Sequence, residues 1–374
     1  MDLGLTETQQ MLKTSARDFL ETECSTEYVR DMEHDPRGYS TEMWAKMSQQ
    51  GWLGLIIPEN YGGVGFDFQD LTILLEEMGR HMLPGPFFST AVLGSKAIME
   101  GGNAQQKEEY LPQIADGQLL VTFALTEPSA GWDPSDVFLK SEDNGNGYTL
   151  NGTKLFVPNA NVSDFIIVVA RTGKEEKDIS LYMCPTHAEG ITLTTLNTVA
   201  SDKQSEVVFE DVLLPYSSLL GDLNKGWETV YKVLQWGAVG KCAEMVGGAQ
   251  QVLDMTVEYA KQRTQFGRPI GTFQAIQHHC ANMATDVEGS RLVTYQASWL
   301  LSEGIECNHQ VATAKAWVSD AYQRICALGH QSHGAIGFTK EHDMQLLSRR
   351  AKAAELFFGD TDYHLELVAK SMNL

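Results

Sequence analysis

Apolar residues recur at three- and four-residue spacing over the first third of the chain, as in amphipathic helices. Thr6 followed by Gln9 has the pattern of a capping box, in which each residue satisfies a backbone N–H of the other, and it predicts the start of a helix. Ser40 and Thr41 are cap candidates for a further helix. The segment Phe68–Met82 continues the same period, and Pro84 ends it because proline disfavours a helical conformation before it. The pattern predicts a helical N-terminal domain.

The hydrophobic period changes between about residues 119 and 220. Short β-branched runs such as DFIIVVART and SEVVFEDVLL replace the helical pattern, which is typical of strands. Turn signals separate these runs, among them Asp143–Gly147 and the pair Asn151–Gly152, where a hairpin turn is predicted. We expect a central antiparallel β-domain.

From Trp227 to the end, the helical period returns in longer segments. Their apolar faces and short connections predict a C-terminal four-helix bundle. The fold class expected is therefore α+β, with domains at residues 1–118, 119–222 and 223–374.

Charge and composition narrow the possible partners. With 28 Lys and Arg against 49 Asp and Glu, the net charge is −21, which argues against nucleic acid and against anionic lipid surfaces. No apolar run approaches the ~20 residues of a membrane helix, and the N-terminus lacks a signal-peptide pattern, so a cytoplasmic protein is expected. The 6 cysteines form no CxxC pair and no zinc-type spacing, so they are predicted to be reduced thiols, and no metal site is expected.

Four short segments carry the candidate chemistry. Thr126–Asp133 (TEPSAGWD) follows a predicted strand, and its small residues allow backbone to approach a planar or phosphorylated ligand. Asn151–Phe156 (NGTKLF) leads into another strand. Arg263–Ile270 (RTQFGRPI) combines two guanidinium groups with a glycine, a composition suited to phosphate. Gln331–Gly337 (QSHGAIG) is a second glycine-bearing turn. Each alone fits an ordinary loop, but four in this order point to one ligand.

These segments together resemble the acyl-CoA dehydrogenase family of flavoproteins, over nearly the whole chain. The resemblance implies FAD as cofactor and an acyl-CoA thioester as substrate. It implies that the flavin and the adjoining phosphates are lined by Phe123, Leu125, Thr126, Gly131, Trp132 and Phe156. It also implies that a neighbouring subunit's FAD is contacted by Arg263, Gln265, Phe266, Gln331, Gly334 and Gly337. The resemblance also implies a tetramer, either a homotetramer or a heterotetramer with a homologue.

The implied reaction is α,β-dehydrogenation, in which a carboxylate removes the α-proton and a hydride passes to the flavin. Many members carry that glutamate in a Tyr-Glu-Gly-Thr segment, where this chain has Phe358, and others carry it where this chain has Gly237. Two replacement bases are candidates. Asp360 lies two residues beyond the first position, and Glu244 lies seven residues beyond the second, on the same helix face. The structural alternatives are a turn or cap carboxylate for Asp360 and an ion-pair partner or solvated residue for Glu244.

Three functions stay open on these residues. The first is a dehydrogenase with a displaced base, acting on a bulky or cyclic acyl group in fatty, aromatic or alicyclic acid degradation. Its expected electron acceptor is a soluble electron-transferring flavoprotein. The second is a noncatalytic or half-site subunit of a heteromeric acyl-CoA dehydrogenase. The third is a family member that catalyses elimination. His333 and His364 are further candidates for polar neighbours of the flavin, and an ordinary structural role is the favoured alternative for both.

Overall fold

The computed structural model describes residues 4–374 and has the predicted order of helical, β and helical segments. The start of the predicted N-terminal domain, residues 1–3, lies outside the described residues. The helices of the described residues are α1 Glu7–Glu23, α2 Thr26–His34, α3 Thr41–Gln49, α4 Phe68–Arg80, α5 Ser95–Gly101, α6 Ala104–Ala115, α7 Gly226–Gln262, α8 Gln274–Ser302, α9 Asn308–His333, α10 Met344–Leu356 and α11 Thr361–Ser371. The strands are β1 Val121–Ala124, β2 Lys140–Asp143, β3 Tyr148–Pro158, β4 Phe165–Arg171, β5 Ile179–Pro185, β6 Ile191–Leu196, β7 Gln204–Leu214, β8 Leu219–Leu220, β9 Thr264–Gln265 and β10 Arg268–Pro269.

Local sequence signals set the helix starts. The Thr6 hydroxyl accepts the Gln9 N–H at 3.2 Å, and the Gln9 side chain accepts the Thr6 N–H at 3.1 Å, so the predicted capping box is confirmed. Of the two predicted cap candidates, Ser40 is confirmed as the N-cap of α3, and Thr41 is the first residue of the helix. Helix α4 ends at Arg80, before the predicted Met82.

The β-domain is one sheet with strand order β6-β7-β3-β2-β4-β5-β8, and β1 pairs with β4. Most of its pairs are antiparallel, as predicted. Strand β1, however, runs parallel to β4, with Val121 opposite Phe165. Parallel strands need a long connection, and here residues 125–164 supply it. The sheet is therefore mixed at the strand that leads into the TEPSAGWD segment.

The hairpin turn predicted at Asn151–Gly152 is wrong. Both residues lie inside β3, and the pairing of β3 with β7 shifts register between Leu150 and Gly152. Glycine within a strand often marks such a bulge. A Cβ on Gly152 would lie 2.8 Å from the Cα atom of Leu139, so the bulge brings two backbones together. The turn at Asp143–Gly147 is confirmed, since it joins β2 to β3.

The described residues form two compact units. One contains the sheet with residues 31–67 and 84–237, and its core includes Leu150, Val168, Tyr182 and Phe209. The other contains the described residues up to 30 with 68–83 and 238–374. The C-terminal part is helical, as predicted, with three long helices and the shorter α10 and α11, both of which pack on α9. The division into three consecutive domains stays a prediction. Within residues 4–374, no helix has the length and apolar character to cross a membrane.

Candidate functional site

A buried ion pair supports the segment that follows β1. Lys154 on β3 is 0% exposed, and its Nζ atom lies 2.6 Å from Oε1 of Glu127 and 3.0 Å from the carbonyl of Leu125. Glu127 also accepts the backbone N–H groups of Phe138 and Leu139. Burial lowers the pKa of Lys154 to about 8, although Glu127 favours its charged form. These contacts hold the TEPSAGWD segment in one conformation.

Thr126 and Phe156 come together above this pair. The N–H of Leu155 donates to the carbonyl of Thr126 at 2.8 Å, which joins the segment after β1 to strand β3. A second bulge in β3, between Lys154 and Val157, leaves Phe156 with φ of +54° and 48% exposed. A left-handed conformation costs a non-glycine residue roughly 1–2 kcal/mol and is often retained at functional sites. The result is a half-exposed aromatic side chain one residue after the position on β3 that bonds to Thr126.

The remaining members of the first predicted set flank this position. Phe123 and Leu125 are buried, Phe123 on β1 and Leu125 directly after it, whereas Gly131 and Trp132 are half-buried in the following loop. Gly131 packs closely: a Cβ there would lie 2.0 Å from the carboxylate of Asp136. A larger residue here would displace the carboxylate of Asp136, which accepts the N–H of Asp133.

The second predicted set begins on a small hairpin after α7. Gln265 pairs with Arg268, and the two turn residues Phe266 and Gly267 have φ of +53° and +79°, as in a type I′ turn. Phe266 is 91% exposed. Within the described chain, the exposed Arg263 side chain makes no ion pair or hydrogen bond. The exposed ring of Phe266 and the guanidinium group of Arg263, which has no partner in the described chain, thus lie within four residues of each other.

The rest of the second set lies at the end of α9. Gln331 is exposed on the last turn of the helix, Gly334 follows that turn with φ of +66°, and Gly337 is buried in the next turn. The rings of Tyr259 on α7 and His333 on α9 stack with centroids 4.5 Å apart. This contact joins the ends of the two helices, so the two predicted motifs lie side by side.

Arginine and lysine carry the positive charge at these helix ends, and Lys261 in the last turn of α7 lies 3.7 Å from its partner Glu258. Burial lowers the pKa of His330 and of His333 below the ordinary histidine value, which keeps both rings neutral at pH 7. Arg268 lies over the ring of Phe273, 4.2 Å from its centroid. Arg263 and Arg268 are therefore the groups that an anionic ligand meets here.

Each candidate base has a structural partner. Asp360 is the N-cap of α11, and its side chain accepts the N–H of Tyr363 at 2.9 Å. Glu244 pairs with Lys241, with 2.5 Å between Oε2 and Nζ. Lys241 in turn lies 5.3 Å from the ring centroid of Phe357, so this pair borders the turn that carries Asp360. The structure places both carboxylates in one region of the helical unit.

Sequence reasoning missed the buried groups that support these segments. Lys154 and Glu127 belong to quoted motifs but had no predicted role, and Lys315 stands in an apolar run of α9 where it is 0% exposed. The sequence shows only a charged residue among apolar residues that are themselves predicted to be buried in the core. A lone lysine in such a run is equally compatible with a surface position, so the signal is weak.

Three family descriptions match the chain. They are the N-terminal, middle and C-terminal domains of acyl-CoA dehydrogenase, over residues 6–118, 122–212 and 224–373. The chain belongs to the acyl-CoA dehydrogenase family of flavoprotein oxidoreductases, as the resemblance predicted. FAD is the cofactor of this family.

Relatives match along their full length or nearly so. The chain is 34% identical over 383 residues to the probable acyl-CoA dehydrogenase YngJ of Bacillus subtilis, covering 100% of both chains. It is 32% identical over 360 residues to the caffeyl-CoA reductase-Etf complex subunit CarC of Acetobacterium woodii, covering 94% of this chain and 95% of the relative. The solved butyryl-CoA dehydrogenase of Megasphaera elsdenii has a TM-score of 0.93 and 30% identity over 100% of both chains.

The described residues fit FAD in their donor chemistry. An isoalloxazine ring needs a flat apolar neighbour and backbone or hydroxyl groups at its polar edge, and Phe156 and Thr126 offer these side by side. A pyrophosphate needs guanidinium groups without a carboxylate partner, and Arg263 is such a group within the described residues. Both halves of the cofactor thus have suitable residues.

Proposed function

We propose that the protein catalyses FAD-dependent α,β-dehydrogenation of an acyl-CoA thioester with a bulky or cyclic acyl group. The observation that carries the proposal is the half-exposed Phe156 on β3, next to Leu155, whose N–H bonds to Thr126, and two residues from Lys154 of the buried Lys154–Glu127 pair. Strain at Phe156 and burial of a full ion pair both oppose folding, and both are concentrated at the segment that the family uses for flavin.

The chain's own residues hold the cofactor in this proposal. Leu125, Thr126 and Phe156 face the isoalloxazine ring, while Arg263 neutralises the pyrophosphate charge of a neighbouring subunit's FAD. Bound FAD supplies the hydride acceptor. The protein's remaining tasks are to orient the thioester, to polarise its carbonyl and to remove the α-proton.

Asp360 is the proposed base and Glu244 the alternative. Asp360 stands on the turn where the family glutamate occurs, two residues from Phe358. One of its oxygens accepts the Tyr363 N–H, and the other oxygen can take the α-proton. Glu244 can take the α-proton only after its carboxylate breaks the ion pair with Lys241. A positioned carboxylate contributes about 10²–10⁴-fold to such a proton transfer.

Assembly and electron transfer complete the proposal. Phe266 exposes 91% of its surface at the tip of the hairpin, which suits burial against a second subunit. We infer a homotetramer or a heterotetramer with a homologue. The relative CarC is named as part of an Etf complex, which supports an electron-transferring flavoprotein as the acceptor. The same relative is named a caffeyl-CoA reductase, which supports a ring-bearing acyl group.

A second candidate function is a half-site subunit that binds FAD without oxidising a substrate. Phe358 supports it, since the resemblance aligns this buried residue, 7% exposed, with the glutamate that many family members carry. The structural partners of Asp360 and Glu244 point the same way. In that case a glutamate-bearing homologue supplies the base.

Anaerobic titration with acyl-CoA thioesters tests the proposal. The panel contains butyryl-CoA, cyclohexanecarbonyl-CoA and 3-phenylpropionyl-CoA. Bleaching of the flavin band with formation of the enoyl-CoA supports dehydrogenation. Bleaching only after co-expression with a homologue supports the half-site subunit. Conversion of a 3-hydroxyacyl-CoA to the enoyl-CoA without flavin reduction identifies the elimination alternative.

A further inference from the structure

A polar groove lies on the unit that contains the sheet, bordered by α3 and by the residues directly before β1 and β4. Its volume is about 540 Å³, which falls within the roughly 300–1,000 Å³ of small-molecule sites. Two aromatic rings, two carboxylates and several hydroxyl and amide side chains line it, among them Tyr39, Trp44, Ser48, Asp116, Gln118 and Asp164. None of these residues is among those predicted for flavin or for the acyl-CoA.

Hydrogen bonds fix the walls of this groove. The indole Nε1 of Trp44 donates to the carbonyl of Gly117 at 2.9 Å, which joins α3 to the loop before β1. Gly117 has φ of +73°, and a Cβ there would lie 3.2 Å from the Cβ of Ser48, so glycine allows the loop to lie against the helix. The carboxylate of Asp164 accepts the N–H of Leu120 at 2.8 Å, which ties the residue before β4 to the residue before β1.

Tyr39 is the residue that points to a ligand. It is 9% exposed, and its ring packs edge-on against Trp44 with centroids 6.0 Å apart. Its hydroxyl makes no hydrogen bond to any of the described residues. Burial raises the pKa of Tyr39 and the charge of Asp164 adds to this rise, so the hydroxyl is protonated at pH 7. Because buried hydroxyl groups are normally hydrogen-bonded, we expect its partner to come from the groove.

The charge of the groove is negative. Within residues 4–374, neither Asp116 nor Asp164 forms an ion pair, and no lysine, arginine or histidine lines the groove. Arg37, whose charge lowers the pKa of Tyr39, is itself paired with Asp35 at 3.0 Å. Two carboxylates without cationic partners attract a positively charged ligand.

An organic cation suits this groove better than a metal ion. In the described part of the chain, no group of three His, Cys, Asp or Glu side chains could hold a metal. The rings of Tyr39 and Trp44 instead offer apolar surface, and aromatic rings attract ammonium groups. We propose that the groove binds a small organic amine, whose ammonium group meets Asp116 and Asp164 and whose apolar body packs against Tyr39 and Trp44. This site is separate in its residues from the proposed dehydrogenation.

Binding of 2-phenylethylamine to the FAD-loaded protein tests the site, with 2-phenylethanol as an uncharged analogue of the same shape. Fluorine NMR of protein labelled with 5-fluorotryptophan reports the location, because Trp44→Phe assigns the signal of Trp44. We expect the amine to shift that signal and the alcohol to bind about tenfold more weakly, since only the amine gains the charge interaction.

Three variants and a control test the proposed contacts. Asp116→Asn and Asp164→Asn each remove a charge at nearly constant size, so each should weaken amine binding by about two- to fivefold, and the double variant by about tenfold. Neither should change binding of the alcohol. Tyr39→Phe should weaken amine binding by about two- to tenfold, because it removes the hydroxyl. Glu142→Gln is the matched control, since Glu142 is an exposed carboxylate without a side-chain partner among the described residues.

Three results would overturn this proposal. They are an unmoved Trp44 signal with millimolar amine, alcohol binding as tight as amine binding, and equal amine affinities in the wild type and the double variant. If Asp164→Asn does not fold, Asp116→Asn decides, because the Asp116 side chain makes no hydrogen bond or ion pair with the described residues. Flavin reduction enters none of these measurements, so they stand apart from the test of the proposed function.

Discussion

The Nζ atom of Lys154 lies 2.6 Å from Oε1 of Glu127, with both side chains buried beneath the segment that carries Thr126. Glu127 also receives the N–H groups of Phe138 and Leu139, so one carboxylate organises two stretches of backbone. The pair therefore couples stability of the β-domain to the shape of the proposed flavin site.

Lys154→Met should lower the free energy of unfolding by about 3–5 kcal/mol, because it leaves a buried carboxylate without its cation. FAD content should fall in the same variant. Adding Glu127→Gln removes the stranded charge, so the double variant should be more stable than Lys154→Met alone. Chemical denaturation and flavin content measure both effects, with the exposed Lys140→Met as the matched control. If the losses of unfolding free energy in Lys154→Met and in Glu127→Gln add up to the loss in the double variant, the two residues are not coupled.

Arg263→Ala should weaken FAD binding by about 1.5–3 kcal/mol, roughly 10- to 100-fold, because it removes a charge-assisted hydrogen bond to the pyrophosphate. Arg324→Ala is the control, since Arg324 pairs with Asp286 elsewhere on the helical unit. Titration of apoprotein with FAD measures the affinities. Equal affinity in the wild type and Arg263→Ala would remove Arg263 from the site.

Phe266→Glu should weaken both self-association and FAD retention, because it places a charge on an apolar tip that we expect a second subunit to cover. Sedimentation velocity gives the oligomeric state, and the wild type should be at least a dimer. A monomeric wild type that carries FAD would contradict the shared site.

The variant Asp360→Asn separates the role of Asp360 as N-cap of α11 from its proposed role as the catalytic base. Asparagine is as good an N-cap as aspartate, so α11 should keep its start and the protein its stability. If Asp360 is the base, flavin reduction should slow by about 10²–10⁴-fold with FAD still bound. Glu244→Gln is the paired variant for the alternative. Rapid mixing decides: an unchanged rate in Asp360→Asn eliminates that residue, and unchanged rates in both variants point to a base elsewhere.

His364 should make stability depend on pH. Its pKa is about 4 in the folded protein against an ordinary value of 6.5, so the unfolded chain binds the proton more tightly. Stability is therefore full above about pH 6.5 and falls as the pH drops towards 4, by on the order of 3 kcal/mol for this group. His364→Gln should flatten that part of the curve, whereas Ser319→Ala should follow the wild type. Parallel curves for His364→Gln and the wild type would refute this assignment.

Features that depend only on residues close together in the sequence were predictable. The Thr6–Gln9 box depends on one turn of chain, and the runs that form β4 and β7 contain β-branched pairs, Ile-Ile-Val-Val in β4 and Val-Val in β7. The turn at Asp143–Gly147 needs only its own residues. Each of these signals is local, which is why each was confirmed.

Features that depend on distant partners were not predictable. Asn151–Gly152 has the composition of a hairpin turn, but pairing with β7 keeps it inside β3 as a bulge. The burial of Lys154 and Lys315 depends on Glu127 and on two backbone carbonyls that are far away in sequence. The cap role was the structural alternative for Asp360, and the start of α11 confirms it, whereas its role as a base stays a prediction.

The central claim is that this chain is an FAD enzyme that oxidises an acyl-CoA thioester. The most direct measurement is the absorption spectrum of the purified protein, recorded anaerobically before and after addition of 3-phenylpropionyl-CoA and the other thioesters of the panel. The proposal predicts about one FAD per chain and, with at least one thioester, loss of the flavin band with one equivalent of enoyl-CoA per flavin. A protein that remains flavin-free when FAD is supplied, or a flavin band that no thioester bleaches, would contradict it.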